Sequence, residues 1–217
     1  MKKWIGKYGH AWCLLYVFIY LPWFAFLERN VTNYHLVHSP LDDWIPFCEY
    51  FIIPYFLWFA YVSVAVLYFF FTSKKEYYKI CTFLFVGMTI SLAICTMWPN
   101  GHNLRPAEFA RENIFTRMVE ILYATDTSTN VFPSIHVFNS IGVHLAVRNC
   151  ERLRNQKWVL VGSGVLCFSI ICSTVLLKQH SILDVFGGIV LGIVMNYFVY
   201  RTERGWGRQE ELKKQWE

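Results

Sequence analysis

The chain has 217 residues, of which 55% are hydrophobic, 19% aromatic and only 16% charged. An ordinary soluble domain carries roughly 25% charged residues, so the composition excludes that class and leaves room for one domain of membrane-spanning elements. The formal net charge of +5 comes with no basic–aromatic surface, so no nucleic-acid partner is expected.

Six apolar runs follow one another, at residues 11–26, 47–71, 80–98, 131–147, 158–177 and 184–200. A crossing helix needs roughly 20 apolar residues, and the first and fourth runs are short against that. Strand-like alternation of the outer-membrane barrel kind is missing. Helices are the other way to satisfy a backbone inside lipid. The expected fold is an all-α, six-transmembrane helix bundle over residues 1–200, with a polar tail at 201–217. The first run lacks a small-x-small cleavage site after it and is read as an uncleaved span. Trp206 and Trp216 of the tail are candidates for headgroup contact.

Lysine and arginine placement orients the bundle. Fifteen of the twenty basic residues fall at the N-terminus, in the second and fourth connections and in the tail; Arg29, Arg105, Arg111, Arg117 and Lys178 fall on the other side. Both termini are therefore expected in the cytoplasm. The outer segments are residues 27–46, 99–130 and a short turn at 177–184. Within the long one, Ile114, Phe115, Met118, Ile121 and Leu122 are spaced to share a helix face, which predicts a short amphipathic helix on the outer membrane surface; an ordinary packed loop helix fits equally. Seven cysteines, with no CxxC pair, read as small buried hydrophobes. No cofactor or metal is expected, since no ligand cluster or carboxylate group is spaced to hold one.

Four polar residues fall at the outer ends of the runs: Arg105, His136, His180 and Asp184. Taken alone, His136 reads equally as an interfacial histidine. Its context "FPSIH" (132–136) adds a proline suited to a first helical turn and Ser134 among free backbone N–H groups, a ready anion site. In "KQHSILD" (178–184), His180 and Asp184 lie four apart and would share a helix face. Asp184 can then hold one imidazole nitrogen and leave the other as nucleophile. Arg105 presents a planar fork suited to phosphate oxygens. Lys178 could add charge to the same anion or snorkel to the surface. Glu49 and Glu120 have no evident partner; Ser140 and His144 continue a polar stripe below His136. Gly188 and Gly192 form a GxxxG step that permits close helix contact.

Together these residues resemble the type 2 phosphatidic acid phosphatase superfamily, the lipid phosphatases related to vanadium haloperoxidases. The resemblance rests on Arg105-Pro106, on Pro133-Ser134-x-His136, and on Ser173 with His180 and Asp184 at the family spacing, within residues 95–195. The family's first lysine, its glycine and one arginine are replaced by Trp98, Ile135 and Thr174. The variant pattern is closer to the branch containing inositol phosphorylceramide synthases and sphingomyelin-synthase-like proteins. The resemblance implies a membrane lipid-phosphate phosphatase of the plasma membrane, acting on its extracytoplasmic side through a phosphohistidine. In it His180, Asp184 and His136 are catalytic, and Arg105, Ser134 and Lys178 bind substrate. A phospho-headgroup transferase between lipids and a non-enzymatic membrane protein with a decayed site are the alternatives. Nothing in the sequence fixes the oligomeric state.

Overall fold

The computed structural model describes residues 8–31 and 33–201. Lys2, Lys3 and Lys7, and the tail with Trp206 and Trp216, lie outside them. A 3-10 segment, Gly9–Tyr16, leads into α1 (Val17–Asn30). The outer segment that follows makes a two-residue strand β1 (His35–Leu36) and a 3-10 turn, Pro40–Asp43. Next come α2 (Ile52–Thr72) and α3 (Lys74–Met97), joined through Ser73, whose Oγ accepts from Glu76 N at 3.3 Å and caps α3. A second two-residue strand, β2 (Asn100–Gly101), pairs in parallel with β1 and ties the two outer segments together. The remaining helices are α4 (Ile114–Thr125), α5 (Ile135–Asn149), the single turn α6 (Glu151–Arg154), α7 (Lys157–Leu176) and α8 (Ile182–Asn196). A π-helical turn, Tyr197–Arg201, extends α8.

Five described helical stretches are long and apolar enough to cross a membrane: Gly9–Asn30, Glu49–Thr72, Lys74–Met97, Lys157–Leu176 and Ile182–Tyr200. The fourth predicted run is α5, whose 15 residues extend only ~22 Å at the helical rise, short of a ~30 Å hydrocarbon core. It is instead the central post of the bundle. Ten of its residues are buried, and it packs against α2, α3, α7 and α8. That enclosure explains how one short helix carries His136, Asn139, Ser140 and His144: polar groups at membrane depth are tolerated where they face protein. α5 begins beside the first turn of α8, with Ser134 N donating to Asp184 O at 3.1 Å. It ends in a cluster with Phe69, Tyr77, Cys150 and Leu153 at the far end of the bundle. Lys74, Lys75, Arg152, Arg154 and Lys157 belong to the turns bordering that end, opposite the first turn of α8.

Glycines let α5 sit this deep. The Phe138 ring occupies the space beside Gly87 of α3 and stacks on Phe83 at 4.9 Å. On α8, a Cβ at Gly188 would stand 2.7 Å from Ser134 O, and one at Gly192 would stand 3.2 Å from Ile141 Cγ2. The expected close contact through Gly188 and Gly192 is therefore made with α5.

The amphipathic helix forms as α4, with its face rotated from the expected one. Val119 and Leu122 are buried, with Phe115 and Met118 partly so, against Ile52, Tyr55 and Leu177. Ile114 and Ile121 point outward instead. The inward set follows i, i+3, i+4, i+7 spacing from Phe115, so one helical face is satisfied once α4 packs on α2. Asn113 caps it, its Oδ1 accepting from Phe115 N and Thr116 N at 2.8 and 3.0 Å. Asn113 also partners Glu49, donating from Nδ2 to Oε1 at 3.1 Å. All seven cysteines are free, five of them buried.

Candidate active site

The turn between α7 and α8 presents His180. Lys178 takes a left-handed backbone conformation (φ 52°), which reverses the chain. Gln179 N and His180 N then both donate to Thr174 O, at 3.0 and 3.1 Å. Ser181 caps α8: its Oγ accepts from Leu183 N at 3.2 Å, while Asp184 Oδ2 accepts from Ser181 N at 2.9 Å. The same Oδ2 lies 3.3 Å from His180 Nδ1. A carboxylate can only accept, so this contact directs an Nδ1–H at Asp184 and turns Nε2 away from it. The pair meets as expected, by a different route. His180 precedes the cap and is not on the helix; the capping box fixes Asp184 beneath it.

His136 sits one residue into α5, after the N-cap Ser134, whose Oγ accepts from Val137 N at 3.4 Å. Its ring lies between Trp58 (centroids 4.4 Å) and Tyr55 (4.7 Å). It faces the His180 ring at 5.7 Å with an interplanar angle of 59°. His136 Nδ1 is buried and has no hydrogen-bond partner. Two imidazoles, one from the start of α5 and one from the turn before α8, therefore converge on one place, and the Ser134 N–Asp184 O bond ties the two helix starts together.

The two basic residues of the expected site are held elsewhere. Arg105 Nη1 donates to Tyr123 O (3.1 Å), and Nη2 reaches Asp126 O (2.8 Å), Thr127 O (3.0 Å) and Gln179 Oε1 (2.8 Å). Its guanidinium stacks over the Tyr123 ring at 4.4 Å. Lys178 Nζ donates to Asp42 O at 2.7 Å. Both cations anchor outer-segment carbonyls, and neither lines the cavity beside the histidines. Ser134 is likewise committed, as cap and as donor to Asp184 O. Trp98, at the lysine position, stacks with His35 at 5.7 Å, and Thr174 is buried with its hydroxyl on Ile171 O at 2.8 Å.

Several residues that build the site escaped the sequence reading. Asp42, almost wholly buried, accepts from Ser181 Oγ (2.6 Å), Ile182 N (2.8 Å) and Ser39 N (2.8 Å). Its one legible signal is the Ser39-x-x-Asp42 capping spacing. Asn100 Oδ1 accepts from Val131 N and Phe132 N, at 3.0 and 2.8 Å, and so holds the approach to α5. His102 accepts at Nδ1 from Leu104 N (3.2 Å) and donates from Nε2 to Gln179 O (2.7 Å). Burial, reinforced by the His180 charge, lowers the His102 pKa to about 4. Tyr55 OH donates to Asp126 Oδ2 at 3.3 Å. Burial raises the Asp126 carboxyl above its ordinary range, with His180 and Arg105 pulling it back. Glu28 of α1 bonds Thr127 Oγ1 and accepts from Asn130 Nδ2 at 2.8 Å.

Beside the two histidines lies a cavity of ≈ 50 Å³ lined by His136, His180, Gln179, Asp126, Asn130 and Pro133, with Tyr20, Phe24, Leu92 and Ile135 as an apolar flank. One water needs ~10–15 Å³ measured this way, so the space suits about three to five such groups, the scale of one phosphoryl group. Any hydrocarbon tail must lie outside it. Among the described residues, no group of three or more His, Cys, Asp or Glu is placed to hold a metal ion.

Residues 103–208 match the family model described as the PAP2 superfamily. The match supports that superfamily. It spans slightly under half of the chain and takes in Arg105, Ser134, His136, His180 and Asp184. Superfamily members are phosphatases or phosphotransferases, so activity on phosphate esters follows in general terms. No curated protein and no solved structure matches the chain.

Proposed function

We propose that this chain is a lipid-phosphate phosphatase of the plasma membrane, working at the extracytoplasmic face through a phosphohistidine. The observation that carries the reading is the His136–His180 approach of 5.7 Å beside a phosphoryl-sized cavity. The basic turns at the opposite end of the bundle support the orientation. His180 Nε2 attacks phosphorus, forming an N–P bond as the bond to the substrate alcohol breaks. Protonated His136 gives its proton to the departing oxygen. Asp184 holds the Nδ1 hydrogen and stabilises the positive charge on the ring. Water then attacks phosphorus, the N–P bond breaks, and the proton returns to His136. Backbone N–H groups at the start of α5 supply donors to the phosphoryl oxygens. In this reading Arg105 and Lys178 act by holding the walls.

A second reading, transfer of a phospho-headgroup to a lipid hydroxyl, draws on the committed state of both cations. Without them the cavity offers fewer charges to a phosphomonoester dianion than the family pattern does.

The test is incubation of purified protein with labelled lipid phosphates, with and without a second lipid, followed by acid-labile phosphohistidine detection. Phosphate release independent of the second lipid supports the first reading; label on that lipid supports the second. General-acid loss is worth ~10²–10⁴-fold, so His136→Asn should fall by that factor and His180→Ala to background. Turnover by His180→Ala equal to wild type would remove the mechanism.

A further inference from the structure

At the end of the bundle away from the histidines, a hollow of ≈ 690 Å³ opens along the seam between α2 and α7. That volume falls within the ~300–1,000 Å³ of sites that take a small molecule. Its lining runs from buried Val143 and Val147 of α5 out to exposed Trp158 and Gly162 of α7. Tyr61 and Ser163 line it too, and their hydroxyls are occupied with each other, Tyr61 Oη lying 2.6 Å from Ser163 Oγ. His144 Nδ1 is 3.1 Å from the same Oγ. The seam therefore presents hydrocarbon along most of its length. From Leu57 to Phe69, both lining residues, the α2 wall rises ~18 Å. Half of a ~30 Å hydrocarbon core is ~15 Å, so the hollow is one leaflet deep.

One end of it is basic. Arg152 and Gln156 line it there, both exposed, and Trp158 next to them is 91% exposed. The turn that carries Arg152 is pinned: Leu153 is buried in the core cluster, and Leu153 N and Arg154 N both donate to Cys150 O, at 3.1 and 2.9 Å. Gln156 precedes α7 without capping it through its side chain. Among the described residues, no aspartate or glutamate lines the hollow. An apolar trough one leaflet deep, ending in a guanidinium and an indole at headgroup level, matches a lipid whose headgroup carries negative charge. We infer that this seam is a binding site for an anionic phospholipid of the leaflet at the α6 end. The phosphate lies on Arg152 and Gln156, and one acyl chain lies between α2 and α7. The site is separate from the histidine cavity and stands whether or not that cavity turns over phosphate.

Titration of the full-length protein in detergent, read by native mass spectrometry, compares phosphatidylglycerol with phosphatidylcholine of equal chain length. One arginine at an anionic headgroup is worth about fivefold in affinity, or ~1 kcal/mol. Phosphatidylglycerol should therefore bind about fivefold more tightly, and Arg152→Gln should bring the ratio close to one. A Cβ at Gly162 meets nothing within 4 Å, so Gly162→Phe can place its ring in the seam and should weaken both lipids alike. Lys75 lines a different hollow, between α3 and α8, and Lys75→Gln should keep the wild-type ratio. Equal affinity for the two lipids, an undiminished ratio in Arg152→Gln, or an equal fall in Lys75→Gln overturns the site. Lipids held as tightly by Gly162→Phe as by wild type would overturn the placement of the chain. Arg152 is a surface residue, so its variant tests the site even where Gly162→Phe fails to fold.

Discussion

Substitution of Gly188 by alanine tests whether the contact between α5 and α8 sets the distance between the two imidazoles. The added Cβ would stand 2.7 Å from Ser134 O and 3.0 Å from Val137 Cβ, while ordinary contact begins at 3.4 Å. The helices must therefore part by about 0.7 Å, and the nearer obstacle is backbone, which cannot rotate aside. Ser134 N donates to Asp184 O at 3.1 Å across the same contact; a parting of that size carries it beyond hydrogen-bond range. Overpacking of this kind costs ~1–3 kcal/mol. A misplacement approaching 1 Å between reacting groups costs up to ~10²-fold in rate. Gly188→Ala should thus lose ten- to a hundredfold in kcat on a phosphate ester and melt several degrees lower in the same detergent. Two neighbours serve as controls. Gly192→Ala meets only Ile141 Cγ2 at 3.2 Å, a side chain that can turn, and a Cβ at Gly162 meets nothing within 4 Å. Gly192→Ala should keep most of its activity, and Gly162→Ala should gain some stability from helix propensity. Full activity in Gly188→Ala, with a melting point equal to wild type, would show that the helix contact does not govern the site.

Two further predictions concern the outer segments. Asp42→Ala removes three accepted hydrogen bonds and leaves Ser181 Oγ and Ile182 N without their partner. At ~1–3 kcal/mol for a buried polar group so stranded, thermal melting should drop clearly and phosphohistidine yield should fall with it; Asp42→Asn should recover part of both, and an unaffected alanine variant would contradict the assignment. His102 is held neutral, donating at one nitrogen and accepting at the other, with its pKa lowered from 6.5 to about 4. A lowered histidine pKa means that the unfolded chain binds the proton first. Its share of stability is present above pH 6.5 and is lost as pH falls toward 4, by up to ~3 kcal/mol. Because the raised Asp126 carboxyl acts in the opposite direction, the measurement is the difference between wild type and His102→Gln melting curves at pH 7 and pH 5. Parallel curves would rule out the role for His102.

The hydrophobic runs announced most of the helices, since lipid and core impose the same demand for apolar length. They could not distinguish α5, because a helix wrapped by other helices and a helix wrapped by lipid read alike until their polar residues are considered. His136, Asn139, Ser140 and His144 were the available sign that this run faces protein. The histidine pair was legible because local chemistry determines it: a proline–serine helix start and a serine-capped turn each position one imidazole. The hydrogen-bond partners of Arg105 and Lys178 could not be read from the sequence, because a cation's partner is a tertiary fact. Each donates to backbone carbonyl oxygens of the outer segments, and carbonyls leave no trace in sequence. Asp42, His102 and Gln179 escaped for the same reason: their partners lie 139, 77 and 74 residues away.

Arg105 shows how a recognisable motif can change what it delivers. Its planar fork is suited to phosphate, yet here the Nη atoms join the end of α4, the loop after it and the side chain of Gln179. A lysine could not reproduce this, having a single ammonium where four acceptors in two directions are served. The consequence for chemistry is indirect but specific. Arg105 holds Gln179 through Oε1, leaving Nε2 buried and unpartnered, and by holding Asp126 O it ties down the residue whose carboxyl accepts from Tyr55. The cavity is lined by the Gln179 amide and the Asp126 carboxyl, and the guanidinium is not among its lining groups. In the mechanism proposed above, the two imidazoles are then the basic side chains beside the cavity when phosphorus changes partners.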